Sequence, residues 1–531
     1  MRQLVFKQYV VLGQDCMRGE KAREHHAQLV DRATHARHRN VIAVHARVRK
    51  VTVLMLVAII FPQLLLQPLW KLRCLGVSNV SGRKRTALHQ LVGGGGKDFR
   101  DALCLRVGNQ NIKLNNRHSV NPTQSLRCET MSDSARIAQL VTSQEADLGW
   151  QQDFYEDLHR HPELSHEEER TAGRIRAKLA DFDCEVVENI GGFGMVAIFR
   201  NGDGPTALLR ADFDGLPVEE ATGVSYAATN GKMHACGHDM HTTALLGACA
   251  LLDASRSSWS GTFLALFQPA EESSMGAKDM LADKLIERVP RPDICLGQHI
   301  MPGRAGTVRH TAGPIMAGCD SLRIRVFGKS AHASMPHNSI DPTYIAAMIV
   351  TRLQAIVGRE VAPHEFFVIS VGELHSGDKN NIIPESAELV LNTRYYDLAL
   401  AEKVYASLER MVKAECVASG SEQDPTFEYY AHGEVTDNDA TAHAPVAEVF
   451  DAAFGSNSVI AAPSTASEDF CYLPQAWGVP YVFWHIGCTP ENELEDPPVN
   501  HQATFLPDYA PTVYASTRAA YGAALTYLAK P

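Results

Sequence analysis

The spacing of hydrophobic residues predicts alternating strands and helices from about residue 144 onward. Short apolar runs, typical of buried strands, occupy residues 195–200, 206–212, 262–267 and 293–298. Stretches with the spacing of helices lie at about 166–181, 242–254 and 275–285. Strands that alternate with helices favour an α/β fold with a mixed, mostly parallel sheet.

The helix over 166–181 carries a start signal of its own. Pro162 follows a helix that ends near Arg160, and Ser165 is followed three residues later by Glu168. This pair predicts a capping box, in which each side chain accepts a hydrogen bond from the backbone amide of the other residue.

The pattern changes between about residues 319 and 430. Strand patterns occur at 321–327, 366–373, 386–394 and 425–430, and helix patterns occur at 341–357 and 399–417. Their order is βαββαβ, which predicts an inserted ferredoxin-like unit. A strand at 479–484 and helices near 443–454 and 509–529 return the chain to the first domain.

Charge divides the 531-residue chain unevenly, although its composition is that of an ordinary globular protein. Residues 1–130 hold 22 Lys and Arg against 7 Asp and Glu, whereas residues 131–531 hold 28 against 54. Three interpretations of this basic leader compete: a mis-assigned start with the protein beginning at Met131, a membrane-proximal or targeting leader, and a basic arm that binds nucleic acid. The first is preferred, so neither a membrane nor a nucleic acid is expected as a partner.

The apolar run of the leader is too short, and is interrupted too often, to span a membrane. The run at 51–61 continues only across Pro62 and Pro68.

The twelve cysteines are scattered without the dense spacing of a disulfide framework. The cysteine pattern therefore predicts a reducing compartment, and the cytoplasm is the default location.

Cysteine and histidine come together in the segment 234–241. Cys236 and His238 flank a glycine, so both side chains can converge on one point. A helix predicted from Thr242 places this turn at a helix N-terminus, whose amides favour a thiolate at Cys236. An isolated Cys-x-His is more often a packing feature than a site.

Two consecutive carboxylates make a metal site the better interpretation. Glu271 and Glu272 follow the apolar run 262–267, at the end of a predicted strand, where open α/β sheets place their ligands. Cysteine and histidine suit zinc-like ions, and carboxylates suit manganese. The combination predicts a metallohydrolase in which one glutamate binds metal and the other acts as a base.

An ordered series of motifs from about Met131 to Pro531 resembles the M20 metallopeptidase family. The resemblance is to its amidohydrolase branch, which includes hippurate hydrolases, N-acyl-amino-acid deacylases and auxin-conjugate hydrolases. The matching segments are 157–165, 209–217, 233–239, 268–272, 297–299, 313–317, 328–337, 381–384, Arg394 and 467–470.

The resemblance implies a centre of two divalent metal ions, manganese or zinc, with cobalt or nickel as alternatives. The implied ligands are Cys236, His238, Glu272, His299 and His501, with Cys236 between the two ions. Glu271 is the implied general base. His485 is the rival of His501 as the last ligand, and His501 is preferred.

The resemblance also makes the inserted unit a lid and dimerisation domain. His332 would reach the active site of a partner subunit and stabilise the oxyanion, and Asn381 and Arg394 would bind substrate. Asp212 and Asp214 would orient the ligand imidazoles. The implied domains are a leader over 1–130, a catalytic domain over 131–318 and 431–531, and a lid over 319–430.

These features together predict a homodimeric, metal-dependent amidohydrolase that cleaves the amide of an N-acyl amino acid or a related small conjugate. A dipeptidase or aminopeptidase of the same family is an alternative and would require a free α-amino group in its substrate. A catalytically inactive binding homologue is a second alternative. The complete set of motif residues argues against it.

Overall fold

The computed structural model describes residues 132–530, together with two short strands, Arg106–Val107 and Gln110–Asn111, that pair antiparallel. The interpretations of the basic leader over 1–130 otherwise lie outside the described residues. Among the described residues, no helix has both the length and the apolar character needed to cross a membrane.

Secondary structure from residue 132 onward follows the α/β pattern expected from the sequence. The strands are β1 (Glu185–Ile190), β2 (Gly194–Asn201), β3 (Thr206–Asp212), β4 (Gly261–Gln268), β5 (Ile294–Arg304), β6 (Val308–His310), β7 (Gly313–Met316), β8 (Gly318–Phe327), β9 (Ala331–His332), β10 (Phe367–Ser376), β11 (Ile382–Ile383), β12 (Ser386–Tyr395), β13 (Thr426–Gly433), β14 (Thr436–Asn438), β15 (Ser458–Ile460) and β16 (Tyr481–Thr489). The helices are α1 (Asp133–Ser143), α2 (Gln151–Arg160), α3 (Glu169–Leu179), α4 (His238–Ala254), α5 (Gly276–Ala282), α6 (Leu285–Arg288), α7 (Pro342–Arg359), α8 (Leu398–Ala418), α9 (Ala440–Phe454), α10 (Tyr472–Trp477) and α11 (Tyr509–Leu528).

Eight strands form the main sheet in the order β15-β6-β16-β5-β3-β4-β2-β1. The four central strands, β16, β5, β3 and β4, are parallel. At one edge β2 and β1 run antiparallel, and at the other β6 runs antiparallel to β16. The predicted mixed, mostly parallel sheet is therefore confirmed.

Apolar side chains cover both faces of this sheet. One core includes buried residues of α2, α4, α9 and α11, and a second core on α5, α10 and neighbouring strands includes Met280, Leu473 and Phe483. Strand β4 is buried along almost its whole length, as a near-continuous apolar run predicts for a central strand with both faces covered. The central strands therefore hold their ends in a fixed register.

The inserted unit has the predicted βαββαβ element order. Its four strands pair antiparallel in the order β10-β12-β8-β13. Helices α7 and α8 contribute to the core of this unit together with apolar residues of β8, β10 and β12. A two-stranded ribbon of β9 and β11 pairs His332 with Ile382. The domain boundaries and the role of this unit as a lid stay predictions.

The capping box predicted for the third helix is absent. The helix begins at Glu169, and Glu168 at its N-cap makes no capping bond with its side chain. The Ser165 hydroxyl instead donates to Asp214 Oδ2 at 2.8 Å, and the Glu168 carboxylate accepts from the backbone amide of Ala270 at 2.9 Å. The carboxylate of Glu163 accepts from the free amides at the helix start instead, from Arg170 at 3.0 Å and from Thr171 at 2.7 Å.

Candidate active site

The carboxyl-terminal ends of the central strands bring the predicted site residues together. Asp212 ends β3 and lies in register with Gln268, which ends β4. Glu271 and Glu272 follow Gln268 after two residues. His299 is buried within β5, because this strand continues to Arg304 instead of ending before the histidine as predicted. We call this region the site edge.

The turn that carries Cys236 and His238 depends on a glycine. Gly237 has φ of 83°, a left-handed conformation that favours glycine, and it is the N-cap of α4. The helix begins at His238, four residues before the predicted start at Thr242. His238 and His241 therefore share one helix face.

The five predicted metal ligands lie in one cluster. Two sets of donor atoms share Cys236, and in each set all atoms lie within 4.8 Å of one another: Cys236, His238 and His299 form one set, and Cys236, Glu272 and His501 form the other. The Cys236 sulfur is 3.5 Å from His299 Nε2. The two overlapping sets offer the mixed sulfur, nitrogen and oxygen donors that divalent metal ions bind.

Hydrogen bonds leave metal-binding atoms of these side chains free. His238 Nδ1 is 3.1 Å from Asp214 Oδ1, and His299 Nδ1 is 2.8 Å from the carbonyl oxygen of Ile300. Each bond directs the Nε2 lone pair of its histidine toward the cluster. His238 Nε2 and Glu272 Oε1, 3.8 Å apart, are buried and have no hydrogen-bond partner among the described residues. Unpartnered donors of this kind fit a divalent metal ion.

The structure separates the two candidates for the last ligand. His501 is on a turn with φ of 72°, and its Nε2 is 3.4 Å from Glu272 Oε2. His485 pairs with His299 across β16 and β5, is fully buried, and belongs to no metal-capable set among the described residues. Burial lowers the pKa of His485 to about 3. The geometry therefore favours His501.

Asp212 and Asp214 contact the histidines of the cluster. Asp214 accepts from His238 and also from the backbone amide of Glu272 at 3.0 Å. Asp212 Oδ1 is 2.5 Å from His241 Nδ1. Each carboxylate therefore links two segments of the site edge, as expected for groups that orient metal ligands.

Two buried residues of this network were not predicted from the sequence. His241 Nε2 accepts a hydrogen bond from the backbone amide of Ile300 at 2.8 Å, and its Nδ1 contacts Asp212. Both ring nitrogens are therefore occupied. Arg210 contacts Asp212, Glu468 and Asp469 at 2.6, 2.8 and 3.0 Å. The helical spacing of His238 and His241 was a usable signal for the first, but no local pattern indicates the second.

Burial changes the proton affinities of the cluster. Burial, with Glu272 nearby, raises the pKa of the Cys236 thiol well above its usual value. Burial therefore opposes the thiolate that the helix N-terminus is predicted to favour, and a bound cation would stabilise it. Burial and the neighbouring carboxylate of Glu468 also raise the pKa of Glu271.

Among the described residues, the predicted residues of the inserted unit form no hydrogen bond or ion pair with the metal cluster. His332 is exposed and its Nδ1 is 2.8 Å from the Ser334 hydroxyl. The Asn381 carbonyl accepts from the amide of Ala333 at 3.0 Å, so Asn381 lies next to His332. Arg394, on β12, donates to Asn392 Oδ1 at 2.6 Å.

A buried set of sulfur, nitrogen and oxygen donors beside a further glutamate, at the ends of parallel strands, defines a metal-dependent hydrolase. Comparison with known proteins identifies the family. Residues 208–520 match the model of peptidase family M20/M25/M40, and the chain belongs to this family. It is an enzyme that hydrolyses amide bonds.

The chain is similar to characterised relatives along most of their length. It is 34% identical over 345 residues to N-acetyl-L-cysteine deacetylase of Bacillus subtilis, covering 64% of this chain and 80% of the relative. It is 34% identical over 331 residues to hippurate hydrolase of Campylobacter jejuni, covering 61% and 85%. A crystal structure of a dinuclear metal-binding peptidase of the M20 family from Bacillus subtilis superposes with a TM-score of 0.61 at 29% identity, covering 72% of this chain and 98% of the other.

Proposed function

We propose that this enzyme hydrolyses the amide bond of N-acyl amino acids or related small amino-acid conjugates. The observation that carries the proposal is the pair of donor sets that share Cys236, with Glu271 beside them. The similar deacetylase and hippurate hydrolase are named for substrates of this class. Small acylated amino acids are therefore the first substrates to test.

The proposed ligands of two divalent metal ions are Cys236, His238, Glu272, His299 and His501. Mixed thiolate, imidazole and carboxylate donors fit manganese or zinc, with cobalt or nickel as alternatives. When bound, such ions polarise the amide carbonyl and lower the pKa of water. Asp214 holds His238 in the orientation that this binding requires.

Glu271 is the proposed general base. Its Oε2 is 3.9 Å from His238 Nε2, and its carboxylate lies within 4.8 Å of donors from His238 and Glu272. It is therefore close enough to take a proton from a water molecule between these groups. The hydroxide oxygen left by this proton transfer bonds to the amide carbonyl carbon. Glu271 then delivers the proton to the leaving amine nitrogen, so that the amide carbon–nitrogen bond breaks and a carboxylic acid and an amine are released.

The inserted unit completes the site in a homodimer, with His332 of one subunit stabilising the oxyanion in the other. Three observations support this part of the proposal. His332 is exposed, Asn381 lies beside it, and the surface around their ribbon carries exposed apolar side chains, including Met335, Tyr344 and Ile382. Arg394 is the proposed partner of the substrate carboxylate, because its guanidinium presents paired donors.

A cytoplasmic location is part of the same proposal. The eight cysteines among the described residues are all free. This observation accords with the reducing compartment that the cysteine pattern predicts.

Hydrolysis of a substrate panel tests the proposed function. The purified chain is stripped of metal, reloaded separately with manganese and zinc, and assayed with N-acetyl and N-benzoyl amino acids and with dipeptides bearing a free α-amino group. We expect release of free amino acid from the acylated substrates and little activity from the stripped chain. Preference for free dipeptides would favour the dipeptidase alternative. Metal binding without turnover of any substrate would favour the inactive binding homologue.

A further inference from the structure

Glu168 is a fully buried carboxylate that neither the helix cap nor the metal cluster accounts for. It is the N-cap residue of α3, but its side chain makes no capping bond. Glu168 Oε1 accepts the backbone amide of Ala270 at 2.9 Å, across 102 residues of sequence. Burying a carboxylate costs free energy unless the group is well bonded, so its placement requires a structural reason.

Ala270 is the residue whose backbone needs such support. Its φ is 54°, in the left-handed region that residues with a side chain rarely adopt. Its carbonyl oxygen accepts from the Gly276 amide at 3.0 Å and from the Ser273 hydroxyl at 2.9 Å. Ala270 is thus held at both its amide and its carbonyl, and unfavourable backbone conformations of this kind persist only where the surroundings impose them.

The bond to Glu168 acts on the turn that supplies both functional glutamates. Ala270 directly precedes Glu271, and Asp214 holds the amide of Glu272 at 3.0 Å. Two buried carboxylates from distant segments therefore fix two of the three amides in this turn. We propose that Glu168 is a positioning residue that holds the 270–272 turn so that Glu271 faces the substrate and Glu272 faces the metal. The inference rests on the proposed function of these two glutamates.

Two substitutions distinguish the length of the Glu168 side chain, which its hydrogen bond to the Ala270 amide requires, from its negative charge. In Glu168→Gln the amide oxygen can still accept from Ala270, whereas Glu168→Asp keeps the charge but withdraws the oxygens by about one carbon–carbon bond, ~1.5 Å. We expect Glu168→Gln to keep metal affinity and kcat within about threefold of wild type. We expect Glu168→Asp to lose about 10- to 100-fold in metal affinity or in kcat at saturating metal, with a smaller change in KM.

Metal affinity is measured by competition with a chromophoric chelator, using zinc alone and no substrate. This measurement remains informative even if the chain hydrolyses none of the acylated amino acids, so failure of the proposed function is distinguishable from failure of this inference. Glu167→Gln is the matched control, because Glu167 is exposed and, within the part of the chain that the structure describes, forms an ion pair only with Lys232, at 2.7 Å. We expect this control to behave as wild type.

Combining Glu168→Asp with Ala270→Gly as a second background tests whether Glu168 acts through the backbone of Ala270. Glycine adopts positive φ without strain, so Ala270→Gly should reduce the loss caused by Glu168→Asp. The inference is overturned if Glu168→Asp matches wild type, if Glu168→Gln loses as much as Glu168→Asp, or if Glu168→Asp causes the same loss with Ala270 and with Ala270→Gly. A Glu168→Asp chain that is unfolded in both backgrounds would also contradict it, because Glu168 would then support the fold and not the turn.

Discussion

The site edge and the ribbon of β9 and β11 carry functional residues in opposite ways. At the site edge, His238, His299 and Glu271 are buried, and hydrogen bonds to Asp214 and to the Ile300 carbonyl fix the two histidines. On the ribbon, His332 is exposed, and among the described residues the only hydrogen-bond partner of its side chain is Ser334. The first group is organised within one chain, whereas the second presents its side chain outward.

The difference in burial matches the different roles proposed for the two regions. A metal cluster needs ligands placed within a few tenths of an ångström, and burial in a close-packed sheet provides that precision. A residue that serves another subunit must instead lie on the surface. The contrast between the two regions therefore predicts different outcomes for substitutions in each.

The largest expected effect is that of Glu271→Gln. Loss of a general base commonly costs on the order of 10²–10⁴ in kcat. Metal content should stay near wild type, because Glu272 and not Glu271 is the proposed ligand. Steady-state kinetics and metal analysis of the same sample check both parts. Full activity, or loss of metal, would contradict the assignment.

Mixing inactive variants tests whether the exposed region serves a partner subunit. Glu271→Gln and His332→Ala chains that exchange subunits should form some dimers with one intact site. Random exchange at equal amounts makes about half of the dimers mixed, each with one of two sites intact, so roughly a quarter of wild-type activity should return. Exchange is verified by mass labelling. No recovery after verified exchange would place His332 in its own subunit or outside the reaction.

Stability should also distinguish the two regions. Arg210→Met leaves three buried carboxylates without their cation, and breaking a buried ion pair in this way costs about 3–5 kcal/mol of unfolding free energy. Arg323→Met in the inserted unit is the control, because Arg323 is partly exposed and forms surface ion pairs with Glu388 and Glu428. Denaturant unfolding of both variants measures the difference. Equal midpoints would show that Arg210 does not hold the site edge together.

The smallest expected effect is a pH dependence of opposite sign in two histidines. Burial and the adjacent His443 lower the pKa of His310 to about 4, so its contribution to stability is lost as the pH falls from about 6.5, the unfolded value, towards 4. Although burial opposes the change, Asp320 and Glu434 raise the pKa of His432 in the inserted unit. Its contribution is therefore present at acidic pH and is lost as the pH rises through the raised pKa.

Thermal unfolding of His310→Gln and His432→Gln across this pH range measures both signs. The first substitution should reduce the loss of stability at acidic pH. The second should destabilise the protein more at about pH 5 than at about pH 8, where the histidine is less protonated. A wild-type-like pH profile for either variant would contradict the assignment of the histidine that it replaces.

Local patterns were sufficient to predict most of the fold. The apolar run that becomes β4 and the alternating residues of β8 carry their periodicity within a few residues. Element ends were less predictable, since α4 begins at His238 and not at Thr242. The start of α4 depends on Gly237 adopting positive φ, a conformation that hydrophobic spacing does not encode.

The chain's own sequence determined which donor types are available and their order: a thiol, imidazoles and paired carboxylates in motifs that resemble one family. Only the tertiary structure decided their partners. Ser165 and Glu168 have the sequence spacing of a capping box, but in the structure they form hydrogen bonds with Asp214 and Ala270 and not with each other. Arg210 and His241 acquired their contacts from segments far away in sequence. Capping and periodicity are local properties, whereas a buried polar group is satisfied by whichever segment the fold brings against it.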